Sequence, residues 1–368
     1  MKNFLLTPSW VRSSLDETPT PVRLGPMSDQ HISSGNNAGT LRGEADVAEA
    51  DRLTPVLQQI RQAIGNIVLG QDAVIEQVLV TVLSGGHALL IGAPGLGKTL
   101  LVNTASKVLG LEATRIQFTP DLMPSDITGA EILDQNAEGH RAFRFLPGPI
   151  FGQLVLADEI NRASPRTQSA LLQAMAEHRV TQGGKDYSLP RPFHVLATQN
   201  PIEQEGTYPL PEAQLDRFML RINLDFPDRN AERRMLIQTT GAAEAQAPVL
   251  LNADALLAAQ SLVRRLPVGD QVVDAILNLT RSLRPEDPSA SAAVRDAVSF
   301  GPGPRAAQAL MIATRARALL DGRLAPSIDD VAALAEPVLS HRIGLGFGAR
   351  ASGTDIAGLI RAQASVIL

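Results

Sequence analysis

The hydrophobic positions of this 368-residue chain follow three different patterns along its length. Residues 1–48 combine Ser, Thr, Pro, Gly and Asn without periodic apolar positions, which is typical of a disordered tail. Between residues 49 and 227, short apolar runs alternate with helical patterns, which predicts an α/β domain with a mostly parallel sheet. Residues 228–368 show helical spacing, so we predict an all-helical domain there.

Five apolar runs in the α/β segment have the length and composition of buried strands. Because helical patterns separate them, we expect the strands to lie parallel in one sheet, with their carboxyl ends at the same edge. The predicted strands are Ala88–Ile91, Ala113–Gln117, Leu154–Ala157, Phe193–Thr198 and Met219–Leu224.

The C-terminal segment contains start signals for several helices. Asn252 is followed by a helical pattern that continues through Val263, and a second pattern covers Ala306–Leu320. Ser327 is followed three residues later by Asp330, which is the spacing of a capping box at a helix start.

The segment after the first predicted strand matches the pattern G-x-x-x-x-G-K-[ST] at every fixed position. Its glycines allow consecutive backbone N–H groups to point at one anion, at the positive end of the next helix. Lys98 adds a positive charge for the β- and γ-phosphates, and the Thr99 hydroxyl is a hard oxygen ligand suited to Mg²⁺. The alternative is a glycine-rich turn with a surface lysine, but the strand–loop–helix context favours nucleotide binding. The matching residues are Gly92, Ala93, Pro94, Gly95, Leu96, Gly97, Lys98 and Thr99.

Two further predicted strands end in side chains that suit phosphate chemistry. Asp158 and Glu159 follow the run at 154–157, so both carboxylates are expected beside the phosphates. We assign Asp158 to Mg²⁺ coordination and Glu159 to polarising the attacking water. Asn200 follows the fourth predicted strand and would orient water or contact the γ-phosphate. A solvated acidic turn and an asparagine turn before proline are the alternatives when each feature is taken alone.

Composition narrows the classes of function. The net charge of −5 argues against a general polyanion-binding surface, and the absence of cysteine excludes disulfides, thiolate metal sites and a cysteine nucleophile. Thr7 and Pro8 interrupt the first apolar stretch, which is too weak for a signal peptide, and no uncharged apolar run is long enough to span a bilayer. We therefore expect a cytoplasmic protein without membrane insertion. Met27 is an alternative start to Met1.

Four spaced motifs point to a protein family. They are Gly-Ala-Pro-Gly-Leu-Gly-Lys-Thr at 92–99, Asp-Glu-Ile-Asn-Arg-Ala at 158–163, Ala-Thr-Gln-Asn-Pro at 197–201 and Pro-Glu-Ala-Gln-Leu-Asp-Arg-Phe at 211–218. Together they resemble the MoxR family of AAA+ ATPases, over the chain from about Leu53 to the C-terminus. The resemblance implies a P-loop NTPase core, with helices on both faces of a five-stranded parallel sheet, followed by an all-helical lid domain. It also implies ATP and Mg²⁺ as cofactors and a homo-oligomeric ring, expected to be a hexamer, with ATP between subunits.

The resemblance assigns further residues. It implies that Arg217 is an arginine finger reaching the neighbouring subunit's γ-phosphate, the alternative being an ordinary pair with Asp216. Arg305 resembles the sensor-2 arginine that couples lid position to nucleotide state, although the family usually has Ser or Ala where Gly303 stands. The rival intersubunit arginines, or alternatively ion-paired helix residues, are Arg162 and Arg166.

Gly70 and Gln71 match the family's adenine-side linker, the alternative being a helix-opening turn. The implied nucleotide-binding set is Gly70, Gln71, Gly92, Ala93, Pro94, Gly95, Leu96, Gly97, Lys98, Thr99, Leu100 and Asp158, with Thr99 and Asp158 also holding the metal. The implied catalytic set is Lys98, Glu159, Asn200, Arg217 and Arg305.

Two insertions indicate possible partners. Glu131–Phe145 and Arg179–Phe193 each have turn residues between strand-like arms, so we predict two β-hairpins. The resemblance implies that they face the ring pore or a partner, and decorative loops are the alternative. It further implies a chaperone-like role in remodelling or maturing a client protein, or in inserting a metal or cofactor, with a von Willebrand factor A-domain partner. A nucleic-acid motor and a nucleotide-gated scaffold stay open, although few aromatic residues are present for base stacking.

Overall fold

The computed structural model describes residues 43–135, 141–201, 206–240 and 246–367. Most of the predicted tail, residues 1–42, lies outside the described residues. The boundary at residue 48 was placed too late, because helix α1 (Glu44–Gly65) begins at Glu44. Its first turn is held by an ion pair between Asp46 and Arg265 at 3.1 Å, a contact across 219 positions that no local pattern reveals.

The remaining helices in the described residues are α2 (Asp72–Leu83), α3 (Lys98–Val108), α4 (Pro124–Thr128), α5 (Pro165–Glu177), α6 (Glu212–Leu215), α7 (Arg229–Thr239), α8 (Ala253–Arg265), α9 (Asp270–Ser282), α10 (Ala292–Ala297), α11 (Pro304–Leu320), α12 (Ile328–Leu339), α13 (Phe347–Ala351) and α14 (Ile356–Ile367). The strands are β1 (Ala88–Ile91), β2 (Ala113–Gln117), β3 (Gly129–Gln135), β4 (Arg141–Pro147), β5 (Leu154–Asp158), β6 (Arg179–Gln182), β7 (Lys185–Ser188), β8 (His194–Gln199), β9 (Leu220–Asn223), β10 (Val298–Phe300) and β11 (Gly344–Leu345).

Five strands form one parallel sheet in the order β2-β5-β8-β1-β9. All five strand predictions are confirmed, with shifts of one residue at some ends. Strand β1 lies between β8 and β9, and β8 separates it from β5. The carboxyl ends of β1, β5 and β8 therefore meet at one edge of the sheet, as predicted.

Alternating side chains of the sheet enter two different hydrophobic cores, because successive residues of a strand point to opposite faces. On one face Leu90, Leu156 and Leu196 join the larger core, which includes side chains of α1, α2, α3, α8 and α11. On the other face Leu89 and Val195 join the smaller core, which includes α5. The predicted helices on both faces are thus confirmed.

The C-terminal region is helical, as predicted, and its helix starts are capped by the expected side chains. The Asn252 carboxamide oxygen accepts a hydrogen bond from the Ala255 N–H at 2.9 Å, and Ser327 with Asp330 forms the capping box of α12. The antiparallel pair β10–β11 was not predicted, since segments of three and two residues are too short to show a periodic pattern. Across the described ranges, no helix has both the length and the apolar content needed to cross a membrane.

Both predicted hairpins are present, as the antiparallel pairs β3–β4 and β6–β7. The turn of the first, residues 136–140, lies outside the described residues. The two hairpins contact each other, because Phe145 of β4 stacks on Tyr187 of β7 with ring centroids 3.9 Å apart. The two hairpins therefore pack against each other, and the pair is called the hairpin unit below.

Candidate active site

The loop between β1 and α3 adopts a conformation that requires glycine. Gly95 has φ +85° and Gly97 has φ +78°, and an added Cβ at either position meets open space, so the backbone angle alone demands glycine. Gly97 caps α3, and the first N–H groups of that helix are available to an anion. Lys98 Nζ donates a hydrogen bond to the Gly92 carbonyl at 2.6 Å, which holds the lysine across the loop.

A cavity of about 340 Å³, called the phosphate cavity below, lies where this loop meets the ends of β5 and β8. Residues from three separate predictions line it: the phosphate loop (residues 92–99), the paired carboxylates and the strand-end asparagine. Gly92, Ala93 and Leu96 belong to the same loop but do not line the cavity. The lining residues are Pro94, Gly95, Gly97, Lys98, Thr99, Leu100, Asp158, Glu159 and Asn200.

A threonine that the sequence analysis missed fixes both carboxylate residues. The buried Thr198 hydroxyl donates a hydrogen bond to Asp158 Oδ1 at 2.6 Å and accepts one from the Glu159 N–H at 2.8 Å. Glu159 has φ +55°, a left-handed conformation that is uncommon outside glycine. The hydrogen bond from its N–H helps to hold this conformation, which turns the glutamate away from the strand direction. The feature that could have identified Thr198 is its position near the end of β8, the strand that pairs with β5.

The side chains of both acids have basic partners within the same chain. Asp158 Oδ2 accepts a hydrogen bond from Arg115 at 2.6 Å. Glu159 Oε2 accepts hydrogen bonds from Gln117 Nε2 at 2.9 Å and from Arg162 at 3.0 Å. Arg162, one of the rival intersubunit arginines, is therefore ion-paired within its own subunit. The other rival, Arg166, lies exposed on α5.

The residues at this edge fit a magnesium site. Thr99 and Asp158 line the same cavity and supply a hydroxyl and a carboxylate, which are the hard oxygen donors that Mg²⁺ prefers. No cluster of three or more His, Cys, Asp or Glu side chains suited to a metal is found in the described part of the chain. A protein site with few carboxylates is the usual arrangement for Mg²⁺ that is also bound by nucleotide phosphates.

Arg217 and Arg305 lie at a different cavity, of about 770 Å³, and neither lines the phosphate cavity. Arg217 donates a hydrogen bond to the Leu172 carbonyl. Arg305 lies 3.6 Å from Asp216 Oδ2, and the other oxygen of Asp216 accepts a hydrogen bond from the buried Arg342 at 2.8 Å. The alternative pairing of Arg217 with Asp216 is therefore not what the structure contains.

Gly70 and Gln71 lie between α1 and α2, outside the phosphate cavity. A Cβ at Gly70 would come within 2.5 Å of the Ala231 Cβ and 2.9 Å of the Pro227 Cβ, so its lack of a side chain permits close packing there. Gln71 Nε2 donates a hydrogen bond to the Asp225 carbonyl at 2.9 Å. These contacts join the start of α2 to the segment after β9, and the adenine-side role stays a prediction.

Comparison with known proteins agrees with this geometry. Residues 87–220 match the family described as "ATPase family associated with various cellular activities (AAA)", and residues 290–360 match "AAA lid domain". Chaperone MoxR1 of Mycobacterium tuberculosis is 40% identical over 320 residues, which cover 86% of this chain and 84% of that protein. The chain belongs to the MoxR family of AAA+ ATPases.

Two further relatives support the same assignment. Protein MoxR of Paracoccus denitrificans is 35% identical over 304 residues, which cover 77% of this chain and 87% of that protein. The crystal structure of a "putative ATPase" from Cytophaga hutchinsonii superposes with a TM-score of 0.81 at 35% identity. The superposition covers 88% of this chain and 98% of the Cytophaga chain. The AAA+ core, the lid region and a nucleotide-binding function are thus shared with the MoxR family.

Proposed function

We propose that this MoxR-family protein hydrolyses ATP with Mg²⁺ and uses the energy to remodel a client protein. The observation that carries the proposal is the single cavity in which the phosphate loop, Asp158, Glu159 and Asn200 meet. A phosphate cradle beside a metal-binding carboxylate and a second carboxylate is the arrangement needed for attack of water on a γ-phosphate.

In this proposal each residue has one task. Lys98 leaves the Gly92 carbonyl to contact the β- and γ-phosphates, and the N–H groups of the loop bind the phosphate oxygens. Thr99 and Asp158 would hold Mg²⁺, which when bound offsets the negative charge on the phosphates. Glu159 orients the attacking water and accepts its proton. Asn200 orients the water or contacts the γ-phosphate.

We further propose that Arg217 acts on the nucleotide of a neighbouring subunit, and that Arg305 couples the position of the lid to the nucleotide state. Arg217 lies at a cavity separate from the phosphate cavity of its own chain, which supports action on the nucleotide of another copy. A closed ring, which we expect to be a hexamer, supplies such a neighbour for every subunit. An arginine in this role spreads the charge of the transition state.

Two variants test hydrolysis. Glu159→Gln should bind ATP within about threefold of the unmodified protein but hydrolyse it about 100-fold or more slowly, because general-base groups supply about 10²- to 10⁴-fold. Lys98→Ala should instead weaken ATP binding itself. Glu177→Gln, at an exposed residue outside the cavity, is the control and should match the unmodified protein in both assays. Unimpaired turnover by Glu159→Gln would disprove the assigned chemistry.

Mixing variants tests action across subunits. Specific ATPase activity should rise with protein concentration as subunits associate. Arg217→Ala and Lys98→Ala should each be nearly inactive alone, and mixing them should restore activity, because some interfaces pair an intact loop with an intact arginine. The double variant Arg217→Ala/Lys98→Ala, mixed with Lys98→Ala, is the control and should restore none. Full activity that does not depend on concentration would contradict the ring.

We propose that the hairpin unit contacts a client or a von Willebrand factor A-domain partner. Leu133 and Phe143 are paired across β3 and β4, and both are more than half exposed. Phe143→Ser should abolish stimulation of the ATPase by an added von Willebrand factor A-domain partner, without changing the rate of the protein alone. Phe347→Ser, at a phenylalanine on α13 that is 90% exposed against 73% for Phe143, is the control. Stimulation that is unchanged in Phe143→Ser would assign the contact elsewhere.

The cellular setting is part of the same proposal. We place the protein in the cytoplasm, where ATP is supplied. The net charge of −5 disfavours a motor that acts on nucleic acid, so neither single- nor double-stranded DNA should raise the ATPase rate.

A further inference from the structure

An arginine on the edge strand β2 contacts the proposed metal ligand. Arg115 lies two residues before Gln117, so both side chains are on the same face of β2. Strand β2 pairs with β5 in a register that puts Gln117 opposite Asp158. Arg115 donates a hydrogen bond to Asp158 Oδ2 at 2.6 Å, which joins a full positive charge to the carboxylate assigned to Mg²⁺.

The same guanidinium nitrogen is also linked to the catalytic glutamate through one side chain. It donates a second hydrogen bond to Gln117 Oε1 at 2.8 Å, and Gln117 Nε2 donates to Glu159 Oε2 at 2.9 Å. Asp158 and Glu159 are therefore connected by a continuous series of hydrogen bonds through Arg115 and Gln117.

We propose that Arg115 is a counter-ion that Mg²⁺ displaces from Asp158, and a positioning residue that holds Gln117 against Glu159. The inference rests on the proposed function, because it needs a metal at Asp158. Both carboxylate oxygens already accept a hydrogen bond, Oδ1 from Thr198 and Oδ2 from Arg115. A cation that approaches this carboxylate therefore competes with the guanidinium for Oδ2 and repels it.

Displacement leaves Arg115 with Gln117 as its partner. The bond to Gln117 Oε1 does not require Asp158, so the glutamine keeps its amide directed at Glu159 when the metal takes the carboxylate. The hydrogen bond that holds Glu159 is thereby preserved when the metal displaces Arg115 from Asp158. The Arg115 side chain is 54% exposed, and exposed ion pairs add little to stability, so substituting it should leave the fold intact.

The test measures magnesium directly, through retention of a fluorescent N-methylanthraniloyl ADP at increasing Mg²⁺ concentration. Arg115→Gln removes the competing charge and should lower the half-saturating Mg²⁺ concentration about two- to fivefold, the range expected for losing an exposed ion pair. Its affinity for the ADP probe in EDTA should not change. Arg115→Lys keeps the charge and should stay near the unmodified value. Turnover of ATP at saturating Mg²⁺ should fall in Arg115→Gln, because Gln117 loses its anchor.

Arg281→Gln is the matched control. Arg281 is 57% exposed and pairs with Asp287 at 2.9 Å, and neither residue lines the phosphate cavity. The counter-ion role of Arg115 would be overturned if Arg115→Gln and Arg281→Gln had the same half-saturating Mg²⁺ concentration. Weaker probe binding by Arg115→Gln in EDTA would also overturn it, by showing that the arginine contacts the nucleotide. If ATP turnover by the unmodified protein did not depend on Mg²⁺, the proposed function itself would be refuted.

Discussion

The hydroxyl of Thr198 offers a strong test of how the carboxylates are held. This side chain is fully buried at the end of β8, where the hydroxyl donates to Asp158 Oδ1 at 2.6 Å and accepts from the Glu159 N–H at 2.8 Å. Thr198→Val keeps the shape of the side chain and removes both hydrogen bonds. Thr198→Ser keeps the hydroxyl and removes only a methyl group.

The structure sets the size of each effect. A hydrogen bond to a charged group contributes about 1.5–3 kcal/mol, and the half-buried Glu159 N–H that loses its partner adds about 1 kcal/mol. Thr198→Val should therefore lower the free energy of unfolding by about 3 kcal/mol. Thr198→Ser loses one buried methyl group, worth about 1 kcal/mol. The valine variant should thus be the less stable of the two, although its side chain is closer to threonine in volume.

Urea unfolding and ATP turnover check the two consequences separately. The valine variant should unfold at a lower urea concentration than the serine variant. Its turnover should also be lower, since Glu159 loses the bond that helps to hold its φ of +55°. Equal stability of the two variants, or a valine variant that turns over ATP as fast as the serine variant, would refute the role given to the hydroxyl.

Three further predictions concern two buried histidines, a buried carboxylate and a glycine of the phosphate loop. Burial lowers the pKa of His87 to about 3 and that of His194 to about 4, whereas both titrate near 6.5 when unfolded. The free energy of unfolding should therefore fall as pH drops from about 6.5 towards 4, by up to about 1.4 kcal/mol per pH unit for each histidine. Urea unfolding at about pH 7.5 and about pH 5.5 should show a smaller difference in His194→Gln than in the unmodified protein. Asp330→Asn leaves two arginines without their buried carboxylate partner and should cost about 3 kcal/mol, unlike the exposed neighbour Asp329→Asn, as measured by thermal unfolding. Gly97→Ala places an L-residue at φ +78° and should weaken ATP binding about tenfold by calorimetry, while equal affinity would contradict the loop geometry.

The strands and the phosphate loop could be predicted because their signals are local. A strand buried on both faces, such as β5, must be apolar at successive positions, and this property is visible in a few residues. The loop from Gly92 to Thr99 places its glycines, lysine and hydroxyl at fixed spacing in one contiguous segment. The helix caps at Asn252 and Ser327 were predictable for the same reason.

The partners of the carboxylates could not be predicted, because they depend on strand register. Nothing near Arg115 or Gln117 in the sequence indicates that they face Asp158 and Glu159. That contact exists only because β2 lies beside β5 with Gln117 opposite Asp158. The position of Arg305 relative to the phosphates likewise depends on how α11 packs on the α/β core, which a helical pattern does not specify.

The partners seen in the site also suggest how nucleotide binding is transmitted. Lys98 contacts the Gly92 carbonyl, Asp158 contacts Arg115, and Glu159 contacts Arg162, so phosphate, metal and attacking water would compete with these bonds. Arg162 lies just before α5, a helix of 13 residues that spans about 20 Å. The other end of α5 leads directly into the hairpin β6–β7, which stacks on the first hairpin through Tyr187. Because a helix transmits displacement as a rigid element, we expect release of Arg162 from Glu159 to shift both hairpins together, which is the motion that a client-contacting surface would need.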